Sequence, residues 1–121
     1  MSLDVSLYGT DIRWCVCTCG HEHETNPPLF TANITHNLVT MARAADVYDA
    51  CWRPEVLNIT TAQQLLPYLR EGLEALIADP AGFTQYNPSN GYGSYTDFVV
   101  WLEDYAAACA RWPAACVRVR K

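Results

Sequence analysis

Apolar and polar residues alternate at both ends of this chain. Leu3, Val5 and Leu7 interleave with Asp4, Ser6 and Tyr8, and Val117 and Val119 interleave with Arg118 and Arg120. A period of two sends one side of a strand to the core and the other to water. Two half-buried strands at opposite ends need a common sheet, so the chain ends are expected to be neighbours. Gly9-Thr10-Asp11 reads as a turn. Ile12 to Thr18 reads as the second arm of an N-terminal hairpin, and residues 20 to 29, polar and carrying Pro27-Pro28, as a loop.

The middle of the chain carries helical periods. Ile34, Leu38, Met41, Ala45 and Tyr48 step by four and three, which marks one face of a helix that Asn33 or Thr35 can cap and Pro54 stops. Thr60 or Thr61 can cap a second helix with the stripe Leu65/Leu66, Leu69, Leu73 and Leu76/Ile77, ended by Asp79-Pro80. Ser94 can cap a third, with the stripe Phe98, Leu102, Tyr105, Cys109 and Trp112, ended by Pro113. The order predicts a single α+β domain over residues 1–121. A small antiparallel sheet of about three strands (N-terminal hairpin plus C-terminal strand) packs against about three helices. A chain of 121 residues buries roughly two thirds of its unfolded surface, enough for one core.

The formal charge is −5, and the basic residues cluster only at Arg118, Arg120 and Lys121. Binding a phosphate backbone needs several cations on one face, so nucleic acid is not the expected partner. No apolar run reaches the length of a membrane span, and Met1 to Trp14 lacks the pattern of a secretory leader. The expectation is a cytoplasmic protein of a bacterial or phage-infected cell, with its six cysteines as free thiols.

Four segments carry candidate chemistry. Asn87 to Tyr95 packs Asn87, Asn90, Tyr92 and Tyr95 around Gly91, Gly93 and Pro88. A turn needs the Gly and Pro, but not the amides and phenols. Amides present donor and acceptor together, and tyrosine rings offer flat faces for stacking. The plainer reading is a rigid loop whose amides satisfy their own backbone. Asn33, His36 and Asn37 form a second polar string, in which the lone histidine is either a structural residue or a ligand contact. Trp52-Arg53-Pro54-Glu55 offers a stacking ring and a guanidinium fork, or else a core tryptophan and an arginine paired to Glu55 or Asp49. Cys17, Cys19, His21 and His23 have the donor atoms for zinc, though with one residue between ligands rather than the usual two. The plainer reading is buried strand thiols before a polar loop.

The strings Asn33-Ile34-Thr35-His36-Asn37-Leu38 with Met41-Ala42, then Tyr48 and Trp52-Arg53-Pro54-Glu55, and finally Asn87-Pro88-Ser89-Asn90-Gly91-Tyr92-Gly93-Ser94-Tyr95, carry a resemblance. Over residues 30 to 112 the chain resembles a family of small, uncharacterised phage and bacterial proteins. That family tends to have Trp where Tyr92 stands, and the Cys/His segment is not part of its pattern. The resemblance implies a phage or prophage origin and no particular activity.

The function expected from these residues is non-enzymatic binding. Asn33, His36, Asn37, Trp52, Arg53, Asn87, Asn90, Tyr92 and Tyr95 would line a pocket for a small polar ligand of nucleotide or sugar type, such as a host signal to be sequestered. No cofactor is expected, with zinc on the Cys/His segment as an alternative. A second alternative is a protein inhibitor of a host factor, in anti-defence for example, and a homo-oligomer is compatible with either. A hydrolase using His36 as base is the least favoured, because no nucleophile elbow or His-Glu-x-x-His helix occurs.

Overall fold

The computed structural model describes residues 2–9, 14–16, 22–24, 28–91 and 93–121, with 14–16 and 22–24 as backbone. Strand β1 (Ser2–Tyr8) lies at the centre of a three-stranded antiparallel sheet, between β4 (Pro28–Thr35) and β5 (Cys116–Arg120). The chain ends are therefore neighbours, as the alternation requires. Leu3, Val5 and Leu7 are fully buried and face the helices. Opposite them stand Ile34, Ala32 and Phe30 of β4, and Val119 and Val117 oppose Val5 and Leu7 from β5.

The hairpin's second arm is not Ile12–Thr18. That run contributes β2 (Trp14–Val16), which pairs with β3 (Glu22–Glu24) in a separate two-stranded ribbon. The true partner, β4, begins at Pro28, within the expected loop, and extends through Ile34, expected on a helix. Proline is tolerated as the first residue of a strand. Phe30, Ala32 and Ile34 alternate with Thr31, Asn33 and Thr35, a period-two signal that the overlapping period of four at Ile34 and Leu38 conceals.

The first helical stripe is also divided. After a 3-10 turn at His36–Leu38 come α1 (Val39–Ala44) and α2 (Tyr48–Trp52). Asp46 adopts a left-handed conformation (φ 58°), and the Val47 N–H reaches back to the Ala42 carbonyl at 2.9 Å. That bond closes the end of α1. Leu38, Met41 and Ala45 remain in the core across the break. The second and third stripes form α3 (Ala62–Ala78) and α5 (Tyr95–Arg111), with the short α4 (Pro80–Thr84) between. Ser94 Oγ accepts from the Asp97 N–H and starts α5.

Tertiary contacts complete the start of α3. The Ala62 and Gln63 N–H groups donate to the carbonyls of Ala115 and Pro113 at 2.9 and 2.8 Å. The free donors of a helix start are thus satisfied by the link into β5 rather than by water. Thr60 O also accepts from Val117 N at 2.9 Å, and Thr61 bridges Cys116, which anchors β5 on its outer side.

The core is rich in aromatics. Trp52 packs against Tyr48, Phe98 and Trp101 at centroid distances of 5.6, 6.5 and 6.4 Å. Trp101 meets Tyr105 edge-on at 5.3 Å, and Tyr105 stacks on Phe30 at 5.9 Å. The Tyr105 hydroxyl is buried with no hydrogen-bond partner among the described residues. Burying an unpaired hydroxyl costs about 1–3 kcal/mol, so Tyr105→Phe is expected to leave stability unchanged or to raise it, as urea denaturation would register.

Cys51 and Cys109 are fully buried beside this ring. Desolvation pushes the Cys109 thiol from 9.0 up to about 12. Desolvation, then the proximity of Cys109, pushes Cys51 up further still. The folded chain holds protons that the unfolded chain releases above about pH 9, so this contribution is complete below that pH. It is lost as pH climbs toward 12, at about 1.4 kcal/mol per pH unit for each thiol. Denaturation midpoints are expected to fall between pH 9 and 10.5, and Cys109→Ala to flatten that fall. A midpoint independent of alkali would contradict the burial.

Candidate functional site

The 33–37 and 87–95 strings do meet. Asn37 Nδ2 donates to Asn90 Oδ1 at 3.5 Å. Gly93 lies so close to the 3-10 turn that an added Cβ would stand 2.7 Å from Thr35 Cγ2 and 3.3 Å from Leu38 Cγ. Its φ of 95° is also strained for any residue with a side chain. Gly93→Ala is expected to destabilise the fold by about 1–3 kcal/mol, measured by chemical denaturation, whereas Gly91→Ala meets a strained φ but open space and should cost less.

Several groups at this junction already have protein partners. Trp52 is 2% exposed, and its Nε1–H donates to His36 Nδ1 at 3.0 Å. The ring belongs to the core, and the bond fixes the neutral imidazole as the tautomer protonated at Nε2. Asn87 Oδ1 accepts from the Tyr95 N–H at 2.7 Å, and the Tyr95 hydroxyl donates to the Leu76 carbonyl at 2.7 Å. These contacts cap α5 and tie its start to the end of α3. His36 stays half-buried, and Asn37 and Asn90 are exposed. Arg53 is exposed and forms no ion pair with Glu55 or Asp49; the ion pair found among the described residues joins Glu55 to Lys121 at 3.9 Å.

Tyr92, Cys17, Cys19 and His21 lie outside the described residues. His23 lies in β3, in register with Cys15 of β2. Among the described residues, no three His, Cys, Asp or Glu side chains group as a metal site would require. No helix among them is long and apolar enough to cross a membrane.

Asn33 stands apart from the junction. It points with the outward side chains of the sheet, where strand register builds a second candidate site that local sequence pattern does not reveal. Asn33, Asp4 and Arg120 form one row across β4, β1 and β5, and Thr31, Ser6 and Arg118 form the next. A cleft of about 400 Å³ opens over these rows, lined by Asp4, Ser6, Tyr8, Thr31, Arg118, Val119 and Arg120. Asn33 Nδ2 donates to Asp4 Oδ1 at 2.6 Å and to Ser2 Oγ at 2.7 Å. Ser6 and Thr31 hydroxyls lie 3.5 Å apart. The Arg118 guanidinium lies over the Tyr8 ring, 4.9 Å from its centroid. Neither Arg118 nor Arg120 has a carboxylate partner among the described residues. The available signal was the outward half of each alternating strand, but only pairing register assembles it.

The fold and this face define a small α+β protein whose sheet carries exposed polar rows at Asp4, Asn33, Thr31, Arg118 and Arg120. No protein-family model, curated protein or solved structure matches the chain.

Proposed function

We propose that this chain is a non-enzymatic binding protein for a small anionic ligand of nucleotide or sugar-phosphate type, held on the open face of the sheet. The observation that supports it is the pair of guanidinium groups, Arg118 and Arg120, that have no carboxylate partner among the described residues and stand beside a cleft of about 400 Å³. Small-molecule sites typically fall in the range of about 300–1,000 Å³. A guanidinium forks onto phosphate oxygens, and the one stacked on Tyr8 is held ready for that contact. Thr31 and Ser6 add hydroxyls that bond to either donors or acceptors. Two arginines on a chain of charge −5 suit a compact anion better than a nucleic-acid backbone. In a phage-encoded chain, the origin that the resemblance implies, such a receptor would withdraw a host signal from solution. The His36, Asn37 and Asn90 junction then serves to hold the scaffold, and Arg53 is outside the site.

Calorimetry against a panel of nucleotides and sugar phosphates tests this. Binding is expected to weaken about tenfold or more in Arg118→Ala and in Arg120→Ala, each loss being about 1.4 kcal/mol or greater. Both side chains are exposed, so folding should be unaffected. No heat with any member of the panel, or undiminished binding in the double variant, would count against the proposal.

One observation favours a protein partner as the second reading. The outward face of α5 carries Asp97, Asp104 and the half-exposed Val100 in helical register. An acidic surface with an apolar centre suits a basic protein. A stoichiometric host partner lost in Asp97→Lys/Asp104→Lys, yet kept in Arg118→Ala/Arg120→Ala, would favour this reading over the ligand cleft.

A further inference from the structure

Asp4 and Arg120 face each other directly across β1 and β5, yet they form no ion pair. Opposite charges at such a cross-strand position ordinarily attract. On the other side of Asp4, Asn33 Nδ2 donates to Oδ1 at 2.6 Å. One carboxylate oxygen is thus engaged from β4, and the Arg120 guanidinium has no carboxylate partner among the described residues. Asp4 Oδ2 likewise has no hydrogen-bond donor among the described residues. The row therefore presents a separated cation and acceptor, with Thr31 and Ser6 hydroxyls in the adjoining row.

We infer that Asp4, positioned by Asn33, selects ligands that carry hydroxyl donors beside their phosphate, so that the ligand bridges the two halves of an ion pair the protein keeps apart. This inference rests on the anion-binding reading of the same cleft and specifies what that anion carries. The phosphate takes Arg118 and Arg120 on β5. The sugar hydroxyls donate to Asp4 on β1, one strand spacing (about 4.8 Å) away. The ring hydroxyls of a pentose 5-phosphate lie a few bonds from its phosphate, so one such molecule can reach side chains on both neighbouring strands. A bare phosphate fills the cationic side only, and it meets the repulsion of Asp4 with no compensating bond.

The test is calorimetry of the full chain with ribose 5-phosphate, 2-deoxyribose 5-phosphate and inorganic phosphate. Ribose 5-phosphate is expected to bind about tenfold more tightly than inorganic phosphate, with the deoxy sugar between them. Asp4→Asn is expected to erase that preference while strengthening inorganic phosphate, because a repelling charge is gone. Asn33→Ala should behave differently, since a released Asp4 can swing onto Arg120 and weaken all three ligands together. A preference that survives Asp4→Asn, or inorganic phosphate weakened by that substitution, would overturn the inference. Equal affinities in the unaltered chain would overturn it while sparing the anion site. Failure of all three probes to bind would remove the anion site itself.

Discussion

The bond from the Trp52 indole to His36 joins the two halves of the molecule. Trp52 sits among Tyr48, Phe98 and Trp101, so its ring is fixed by α2 and α5 together. Its one polar atom needs a partner when buried. His36 supplies that acceptor from the turn where β4 leaves the sheet. The turn is thereby held against the helices where β4, aligned by its ladder with β1, leaves the sheet. The outward residues of β4, Asn33 and Thr31 included, take their places on the sheet face from that ladder.

The 87–95 loop supports the same joint from the opposite direction. Asn87 and Ser94 satisfy N–H groups at the start of α5, and Gly93 packs closely on Thr35 and Leu38. Residues that look like a ligand-reading string are largely engaged in holding backbone. A helix start already supplied with acceptors has little remaining attraction for an external anion. Arg118 and Arg120, two of the cations without a carboxylate partner among the described residues, lie instead on β5, and the Asp4 carboxylate opposite Arg120 is bonded by Asn33 from β4.

Much of the architecture was legible in the residues. The stripes of α3 and α5, the caps at Ser94 and Thr35, and the pairing of the chain ends follow from short-range periodicity and local hydrogen bonding. The strand at Pro28–Thr35 was obscured because Ile34 and Leu38 satisfy a helical period as well as a strand period. Its actual state depends on the edge β1 offers it. Of the candidate site, the approach of Asn37 to Asn90 was legible as two polar strings that belong together. The roles of Trp52, Asn87 and Tyr95 were not, since each is defined by a partner 8 to 19 positions away.

By itself the sequence determined which segments are amphipathic and with what period, and hence an α+β fold with one core. It also determined a negative overall charge with few cations. Only the tertiary structure decided which polar side chains stand next to one another. Periodicity acts over a few residues along the chain, whereas a row such as Asn33, Asp4 and Arg120 is created by pairing between strands far apart in sequence. A shift of one residue in that register would turn each of those side chains to the opposite face.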